Sequence, residues 1–260
     1  MKQLKFLMIA FTLLMGISLT SCIGEGDPTV TRQTFGRVTE SFPKVVIETP
    51  GDYKFNAVND LTGMSLYTGD YVYFQYSYNS DLQKVDNNTK SIDATITIGE
   101  KMTYRPAVVA ADKGENFENV TLIQMGDGPE VNSNYGIKFW YYDKSKLIVP
   151  LIFLVKEASK EALGKHEFTL VFNEEDVKAG ASELVFYLRH KSSDTEAKKA
   201  VLSYKMFDIN RALEQFVAKA GNKPTKVVIY TNETKDNTTD ALDKKKDELT
   251  KYEVVYEFKD

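Results

Sequence analysis

The sequence contains few of the residues that metal and catalytic centres use. Its 260 residues include one cysteine, Cys22, and two histidines, His166 and His190. A structural zinc site needs four ligands that are mostly Cys or His, and a nucleophilic triad needs a histidine held between two partners. No HExxH, CxxC or GxSxG motif is present. We therefore predict a protein that is not an enzyme, with no catalytic residue, no metal site and no cofactor.

Long apolar runs are also scarce. The run at residues 6–17 is shorter than the roughly 20 residues that a membrane-spanning helix needs. It follows a basic head of two lysines and leads to small residues, which is the pattern of a secretory signal. Residues 19–22 read Leu-Thr-Ser-Cys and resemble a bacterial lipobox. The resemblance implies a signal peptide at residues 1–21 and lipidation of Cys22, which would attach the protein to a membrane; an ordinary buried thiol is the alternative.

Neither sign of charge dominates the chain. It has 33 Lys and Arg against 37 Asp and Glu, a net charge of −4, and no block of basic residues. Because nucleic-acid binding depends on neutralising phosphates, we predict no nucleic-acid partner. A hydrophobic content of 42% with 12% aromatics is typical of a folded protein. Residues 22–34 are polar and contain glycine and proline, which predicts a flexible tether.

After the tether, residues 35–126 alternate apolar and polar side chains over short stretches. Turn residues separate these stretches, which lie at 37–39, 44–48, 53–58, 71–78, 92–98 and 120–125. Short strands with little helix predict a small OB-like β-barrel domain, which the last stretch would close. Within 71–78 we expect Tyr71 and Tyr73 on one face and Val72 and Phe74 on the other.

Residues 126–134 are rich in Gly, Pro, Asn and Ser and show no apolar period, which favours a boundary between two domains. Asp127, Glu130, Asn132 and Asn134 are conceivable calcium ligands. Their spacing lacks the order of an EF-hand loop and its glutamate at position 12. We therefore interpret the stretch as a linker.

Longer alternating stretches occupy residues 135–260. Seven strands are predicted, at 135–142, 146–155, 166–172, 183–190, 199–207, 225–231 and 252–258. Their alternating faces predict a β-sandwich domain. One helix interrupts them, with Asp208 as N-cap and a stop at Gly221, and its apolar stripe is expected to pack on the sandwich. Residues 240–250 have the composition of a short exposed helix.

The succession of strands in the second half resembles a known family. Residues 166–172 read His-Glu-Phe-Thr-Leu-Val-Phe, residues 184–190 read Leu-Val-Phe-Tyr-Leu-Arg-His, and residues 201–208 read Val-Leu-Ser-Tyr-Lys-Met-Phe-Asp. This pattern, with its Leu-x-His element, is similar to the NigD-like lipoproteins of Bacteroidota. The resemblance implies an all-β fold, with a small OB-like barrel followed by a β-sandwich. It also implies a lipid anchor in the outer membrane, facing the cell surface or the periplasm, and it supplies no catalytic residue.

Two groups of aromatic side chains are candidates for ligand binding. In residues 139–142, Trp140 and Tyr142 share one strand face and the other two aromatics share the opposite face, so one pair is expected between sheets. The remaining pair is a candidate for stacking on sugar rings. Tyr71 and Tyr73 present the same alternative in the barrel. Packing as core or cross-strand pairs is the competing interpretation for both groups.

The two histidines lie in predicted strands, and we expect both to pack or to form hydrogen bonds near strand ends. A site that His166 and His190 share with Asp176 or Glu183 is the alternative. A glycosidase would need two carboxylates about 5–10 Å apart, which spacing along the chain does not locate. The acidic residues 174–176 are expected to form a solvated turn.

These observations predict an outer-membrane-anchored, non-catalytic lipoprotein that binds another protein at the cell envelope. Such a protein should carry a patch of exposed apolar residues. The alternative function is a surface module that binds glycans through Trp140, Tyr142, Tyr71 and Tyr73. A hydrolase would instead need a pocket with converging carboxylates or histidines.

Overall fold

The structure is a computed structural model. It describes residues 27–126 except 51, 87 and 119, together with residues 139–194, 199–234 and 249–256. The chain divides into two compact units, one that ends at Thr103 and one that begins at Tyr104. We call the first unit the barrel and the second the sandwich. Both consist mainly of strands, which confirms the predicted all-β fold.

The barrel consists of five strands: β1 (Thr29–Glu40), β2 (Val46–Glu48), β3 (Lys54–Ala57), β4 (Tyr71–Asn79) and β5 (Ser91–Met102). They close in the order β1-β2-β3-β5-β4. Strands β3 and β5 pair in parallel, and every other neighbouring pair is antiparallel. This arrangement confirms the small barrel that the short alternating stretches predict.

The core of the barrel follows from the alternation of its strands. Side chains that point inward from β4 and β5 are buried: Val72, Phe74, Tyr76, Ile92, Ala94 and Ile96. Tyr73 and Gln75 lie on the other side of β4, as predicted. Gly36 on β1 faces this core, and a Cβ atom there would collide with Ile47 and approach Phe74 to 2.9 Å. The barrel interior therefore has no room for a side chain at residue 36.

Strand β1 begins earlier than the sequence pattern indicates. Thr29 pairs with Asn79, and the pairing continues along β4 to Arg37 opposite Tyr71. The structure thus places residues 29–34 in a strand, whereas the sequence pattern placed them in the tether. Residues 29–34 are polar except for one valine, so they show no apolar period that would predict a strand. Cys22 and the predicted signal peptide lie outside the described residues.

Residues 104–126 belong to the sandwich, although the sequence pattern assigned them to the barrel. They contain β6 (Tyr104–Pro106), β7 (Val108–Ala110) and β8 (Gln124–Met125). Strand β8 pairs with a long strand of the sandwich, Met125 opposite Leu151, so the stretch 120–125 does not close the barrel. The division at Thr103 therefore lies before the predicted boundary at 126–134. Residues 127–134, with the conceivable calcium ligands, lie outside the described residues.

Seven further strands complete the sandwich: β9 (Trp140–Tyr141), β10 (Lys146–Val155), β11 (His166–Asn173), β12 (Glu183–Ser192), β13 (Lys199–Asp208), β14 (Lys226–Thr231) and β15 (Thr250–Val255). One sheet has the order β6-β13-β10-β8, with β9 also on β10, and the other has the order β15-β14-β12-β11-β7. Apolar side chains such as Phe153, Phe172 and Phe186 fill the core. The predicted β-sandwich is confirmed.

The described part of the sandwich contains two α-helices, α1 (Lys160–Gly164) and α2 (Asn210–Ala220). The predicted helix is α2: the Asp208 carboxylate accepts a hydrogen bond from the Asn210 amide, and Gly221 ends the helix at φ 79°. Ala212, Phe216 and Ala220 are buried in the core, which confirms the packing role. Single 3₁₀ turns occupy Thr62–Met64, Glu115–Phe117 and Glu174–Asp176. The last confirms a turn at 174–176.

Helix α1 was not predicted from the sequence, because its five residues are too few to show a helical period. Its cap is visible in the sequence, since the Ser159 hydroxyl accepts a hydrogen bond from the Ala162 amide. Most of the stretch predicted as an exposed helix, 240–248, lies outside the described residues. In the part of the chain that the structure describes, no helix is long and apolar enough to cross a membrane.

Candidate functional site

A groove opens at one mouth of the barrel. Two connections form it: residues 41–45 between β1 and β2, and residues 58–67, which follow β3. Its volume is about 500 Å³, within the range of pockets that bind ligands. We call it the mouth groove. Leu61 and Leu66 are buried in its floor, where they join the core of the barrel.

Four large apolar side chains project into solvent around the mouth groove. Phe42 is 85% exposed, Val58 60%, Met64 47% and Tyr67 64%. Val58 and Tyr67 line the groove directly, while Phe42 and Met64 lie beside lining residues in the two connections. We call these four residues the apolar rim. They are half of the eight large apolar side chains that are exposed among the described residues, and a binding role predicts exposed apolar residues near a concavity.

Side chains fix one wall of the mouth groove to the barrel. The Asn59 side chain accepts a hydrogen bond from the Ile96 amide at 2.7 Å and donates one to the Ile96 carbonyl at 2.9 Å. Asp60 accepts the Thr62 amide, and this hydrogen bond lowers the pKa of the Asp60 carboxyl below its ordinary value. Asp60 is therefore ionised at neutral pH. A wall held by these bonds keeps its shape without a ligand.

An ion pair holds the far end of the 58–67 connection, next to β4. The Asp70 carboxylate accepts the Tyr67 amide at 2.8 Å and pairs with the Lys101 ammonium at 2.7 Å. The same ammonium lies 5.1 Å from the centre of the Tyr67 ring, a distance that permits a cation–π interaction. The amide of Gly69 donates to the Val38 carbonyl and attaches the turn to β1. Tyr67 is thus exposed to solvent but held in place.

Tyr71 and Tyr73, the two barrel tyrosines predicted to bind a ligand, lie on the outer face of β4. Tyr71 is 8% exposed, and the Arg37 guanidinium lies 5.9 Å from the centre of its ring. Tyr73 is half-buried, packs against Phe35 with 4.8 Å between ring centres, and donates a hydrogen bond to Gln33. Neither ring lines the mouth groove. Their role in ligand binding stays a prediction.

Trp140 and Tyr142 lie next to β10 and are both half-buried. Trp140 packs edge to face on Tyr204 of β13, with 69° between the rings. Phe139 and Tyr141 instead enter the core, which confirms that one of the two aromatic pairs packs between the sheets. A sugar platform needs exposed, parallel rings. The arrangement of these aromatics therefore adds no support to the glycan-binding alternative, which stays a prediction.

The two histidines meet inside the sandwich. His166 Nδ1 lies 3.0 Å from His190 Nε2, and His190 Nδ1 lies 3.3 Å from the Thr121 carbonyl oxygen. A carbonyl only accepts, so His190 Nδ1 donates to it, and His190 Nε2 accepts the proton of His166. His166 Nε2 faces Asp194 at 3.7 Å. A neutral His166 that donates from Nδ1 has an unprotonated Nε2, and the Ser192 hydroxyl lies 3.5 Å from that nitrogen as a donor.

The buried histidine pair confirms the interpretation that both rings pack and form hydrogen bonds. The acid beside the pair is Asp194, whereas the alternative shared site would use Asp176 or Glu183. Asp176 accepts a hydrogen bond from the Tyr187 hydroxyl, and the Glu183 carboxylate lies 3.5 Å from the Lys226 ammonium. Neither acid therefore belongs to the histidine pair. His166 is 7% exposed and His190 2%, with Phe153 and Phe168 against the rings. Among the described residues, no three His, Cys, Asp or Glu side chains form a group that would hold a metal ion.

The mouth groove was not predicted, because its two connections are separated by β2 and β3 and neither has a periodic pattern of apolar residues. Phe42 and Tyr67 stand in turn-rich segments that have no apolar period, where a single exposed apolar residue is ordinary. The one available signal was the number of large apolar residues in connections that predict turns.

Solved structures share this fold. A Bacteroides fragilis protein whose name classes it as a candidate lipoprotein superposes with a TM-score of 0.68 at 20% identity, over 88% of this chain and 99% of that chain. A NigD-like immunity protein from Bacteroides caccae superposes with a TM-score of 0.50 at 13% identity, over 87% of this chain and 97% of that chain. An uncharacterized protein from Parabacteroides merdae gives 0.50 at 12% identity, over 87% and 100%.

No protein-family model and no curated protein matches the chain. The structural likenesses extend over both units, and their identities are low enough that they establish the fold alone. The predicted resemblance is therefore confirmed at the level of architecture: the chain has the fold of the NigD-like immunity protein and of the Bacteroides fragilis protein.

Proposed function

We propose that the protein is a non-catalytic lipoprotein of the cell envelope that binds another protein through the mouth groove of its barrel. The observation that carries this proposal is the apolar rim. Exposed apolar side chains scattered singly are ordinary, but a group around a preformed concavity is typical of an interaction site. Burying Phe42 and Tyr67 against a partner would remove two large apolar surfaces from water.

The names of the structural neighbours fit this proposal. The Bacteroides fragilis protein is classed as a candidate lipoprotein, which agrees with the lipobox-like sequence before Cys22. The Bacteroides caccae protein is described as a NigD-like immunity protein. Immunity proteins in known pairs bind a toxin with very high affinity, so a binding role through one rigid surface is consistent with that name.

The position of the mouth groove along β1 suits a partner that approaches the anchored protein. Strand β1 begins at Thr29, next to the turn that Ser80 attaches to Pro28, and it ends at Glu40 beside the groove. At about 3.3 Å per residue the strand is roughly 36 Å long. The groove therefore lies at the other end of β1 from Thr29, the first residue of that strand.

Photo-crosslinking in the native host tests this function. The full-length protein would carry benzoylphenylalanine in place of Tyr67, and a matched variant would carry it in place of Leu82. Leu82 is 86% exposed and lies in the turn at the other end of β4, so it reports background contacts. We expect a discrete protein adduct from residue 67 that residue 82 does not give.

Two results would contradict the proposal. Absence of any protein adduct at residue 67, with normal amounts of membrane-bound protein, would remove the binding role of the groove. Equal adducts at both positions would show contacts without preference for it. Growth in the presence of neighbouring strains should be included, because a toxin partner is present only then.

A further inference from the structure

We propose that the mouth groove recognises a protein segment with one aliphatic or aromatic anchor residue, flanked by one acidic and one basic residue. This inference rests on the proposed function and specifies the chemistry of the partner. The anchor would enter between the two connections, above Leu61 and Leu66. The flanking charges would meet Lys44 and Asp60, which line the groove.

The charges of the groove support a segment with both signs. Lys44 and Asp60 are both exposed, and neither forms an ion pair within 4 Å with any residue that the structure describes. The Asp60 carboxylate accepts the Thr62 amide and keeps its negative charge, which no ion pair with a described residue neutralises. Opposite charges that flank an apolar pocket set the orientation of a partner and the rate of its approach.

The exposure of the apolar rim favours a protein over a small molecule as the partner. A small molecule in the groove would contact Val58 and Tyr67 but would leave Phe42 85% exposed. A protein surface covers both the groove and its rim, and a central apolar pocket with a surrounding ring that excludes water is the usual form of a binding hot spot.

The same groove is poorly suited to a lipid surface. Binding to anionic lipids relies on several Lys or Arg residues beside the apolar ones, and the groove lining contributes only Lys44, balanced by Asp60. An anchor residue also needs a concavity that persists, whereas a membrane contact needs only protruding side chains. The hydrogen bonds of Asn59 with Ile96 and of Asp70 with Tyr67 maintain that concavity.

The test is selection of peptides on the purified mature chain, from residue 22 onward, with Cys22→Ala so that no acyl chain competes. The probe is a phage-displayed library of random dodecapeptides. We expect enriched sequences with one large apolar residue between an acid and a base. Phe42→Ser with Tyr67→Ser should weaken a selected peptide about tenfold or more, as for hot-spot residues. Leu82→Ser is the matched control and should leave the affinity unchanged.

Charge reversal tests the orientation. Lys44→Glu and Asp60→Lys should each weaken the peptide a few-fold, and exchanging the acid and base of the peptide should restore binding to the double variant. The five side chains replaced in the groove and its control, Phe42, Lys44, Asp60, Tyr67 and Leu82, are all exposed, so the circular dichroism spectrum should not change.

Several outcomes would overturn the inference. They are enrichment of peptides without an apolar anchor, equal binding by the rim variant, or no enrichment at all. Binding of the same chain to phosphatidylethanolamine and phosphatidylglycerol vesicles that Phe42→Ser and Tyr67→Ser abolish would assign the rim to a membrane instead. Dimerisation abolished by the same variant would assign it to a second copy. Because crosslinking in cells is independent of peptide selection, adducts at residue 67 without such peptides would leave the proposed function standing and remove this inference alone.

Discussion

At the residue scale, the histidine pair shows how burial sets chemistry. Burial, together with the smaller effect of the neighbouring His166, lowers the pKa of His190 to about 3, although the hydrogen bond to the Thr121 carbonyl acts in the opposite direction. Burial also lowers the pKa of His166, which Asp194 opposes and the Lys205 ammonium reinforces. Both rings are therefore neutral in the folded protein at neutral pH. A neutral pair satisfies its hydrogen bonds without an uncompensated charge in the core.

This arrangement predicts a loss of stability in mild acid. The folded pKa values lie below the ordinary value of 6.5, so the unfolded chain binds more protons as the pH falls through 6.5. The free energy of unfolding should be highest above pH 6.5. At lower pH it should decrease, by up to about 1.4 kcal/mol per pH unit for each histidine. Urea unfolding between pH 7.5 and 5.5 measures it, because most carboxylates stay ionised in that range.

The chain has only these two histidines, which makes the control simple. His166→Gln and His190→Leu should each be less stable than the wild type at pH 7.5 and should show a smaller dependence on pH. A wild-type free energy that is flat between pH 7.5 and 5.5 would contradict the prediction.

At the element scale, β1 and β2 approach each other where Gly36 faces the barrel core. The pairing register shifts between Val38 and Glu40, so β1 bends close to β2 at its end. A methyl group at residue 36 would meet Ile47 and Phe74, both fully buried and unable to move into solvent. Only a residue without a Cβ atom fits between these side chains.

Gly36→Ala should therefore destabilise the barrel by about 1–3 kcal/mol, the usual range for overpacking a core. Gly63→Ala is the matched control, because no atom lies within 4 Å of the Cβ position there. Urea unfolding followed by far-ultraviolet circular dichroism measures the difference. A midpoint for Gly36→Ala equal to that of Gly63→Ala would show that β1 and β2 move apart at little cost.

Elements of different length were predicted with different success. Strands β4, β10, β11, β12 and β13 each have 8–10 residues, and their alternation gave their positions within one or two residues. Strands β6 to β9 have two or three residues each, too few to show a period of two. Their places depend on pairing with long strands far along the chain, which local pattern does not contain.

At the scale of the whole molecule, the predicted attachment to a membrane would depend on the Cys22 thiol alone, because the chain has no other cysteine. We expect Cys22→Ala to move the protein from the membrane fraction to the soluble fraction and to abolish labelling with radioactive palmitate, because only a lipid on that thiol would hold it. Ser21→Ala, which keeps the cysteine, is the control. Palmitate labelling that persists in Cys22→Ala would contradict the anchor.

The same strains test the predicted location in the outer membrane and the side that the protein would face there. If a protease added to intact cells digests the wild type, the mouth groove is available to partners from outside the cell. Digestion only after the outer membrane is opened would restrict its partners to the periplasm. Either result narrows the search for the segment that the groove binds.

The all-β architecture, the two cores and the packing of helix α2 could be predicted from the order of residues, because each depends on the periodicity of side chains within one element. The position of both histidines near strand ends was also predictable. The point where the chain divides, the acid that faces the histidine pair and the location of the exposed apolar residues became visible only in the folded protein. These depend on contacts between residues distant in sequence: Phe42 and Tyr67 come to one mouth of the barrel because β1 and β4 are paired neighbours whose connections meet at that end.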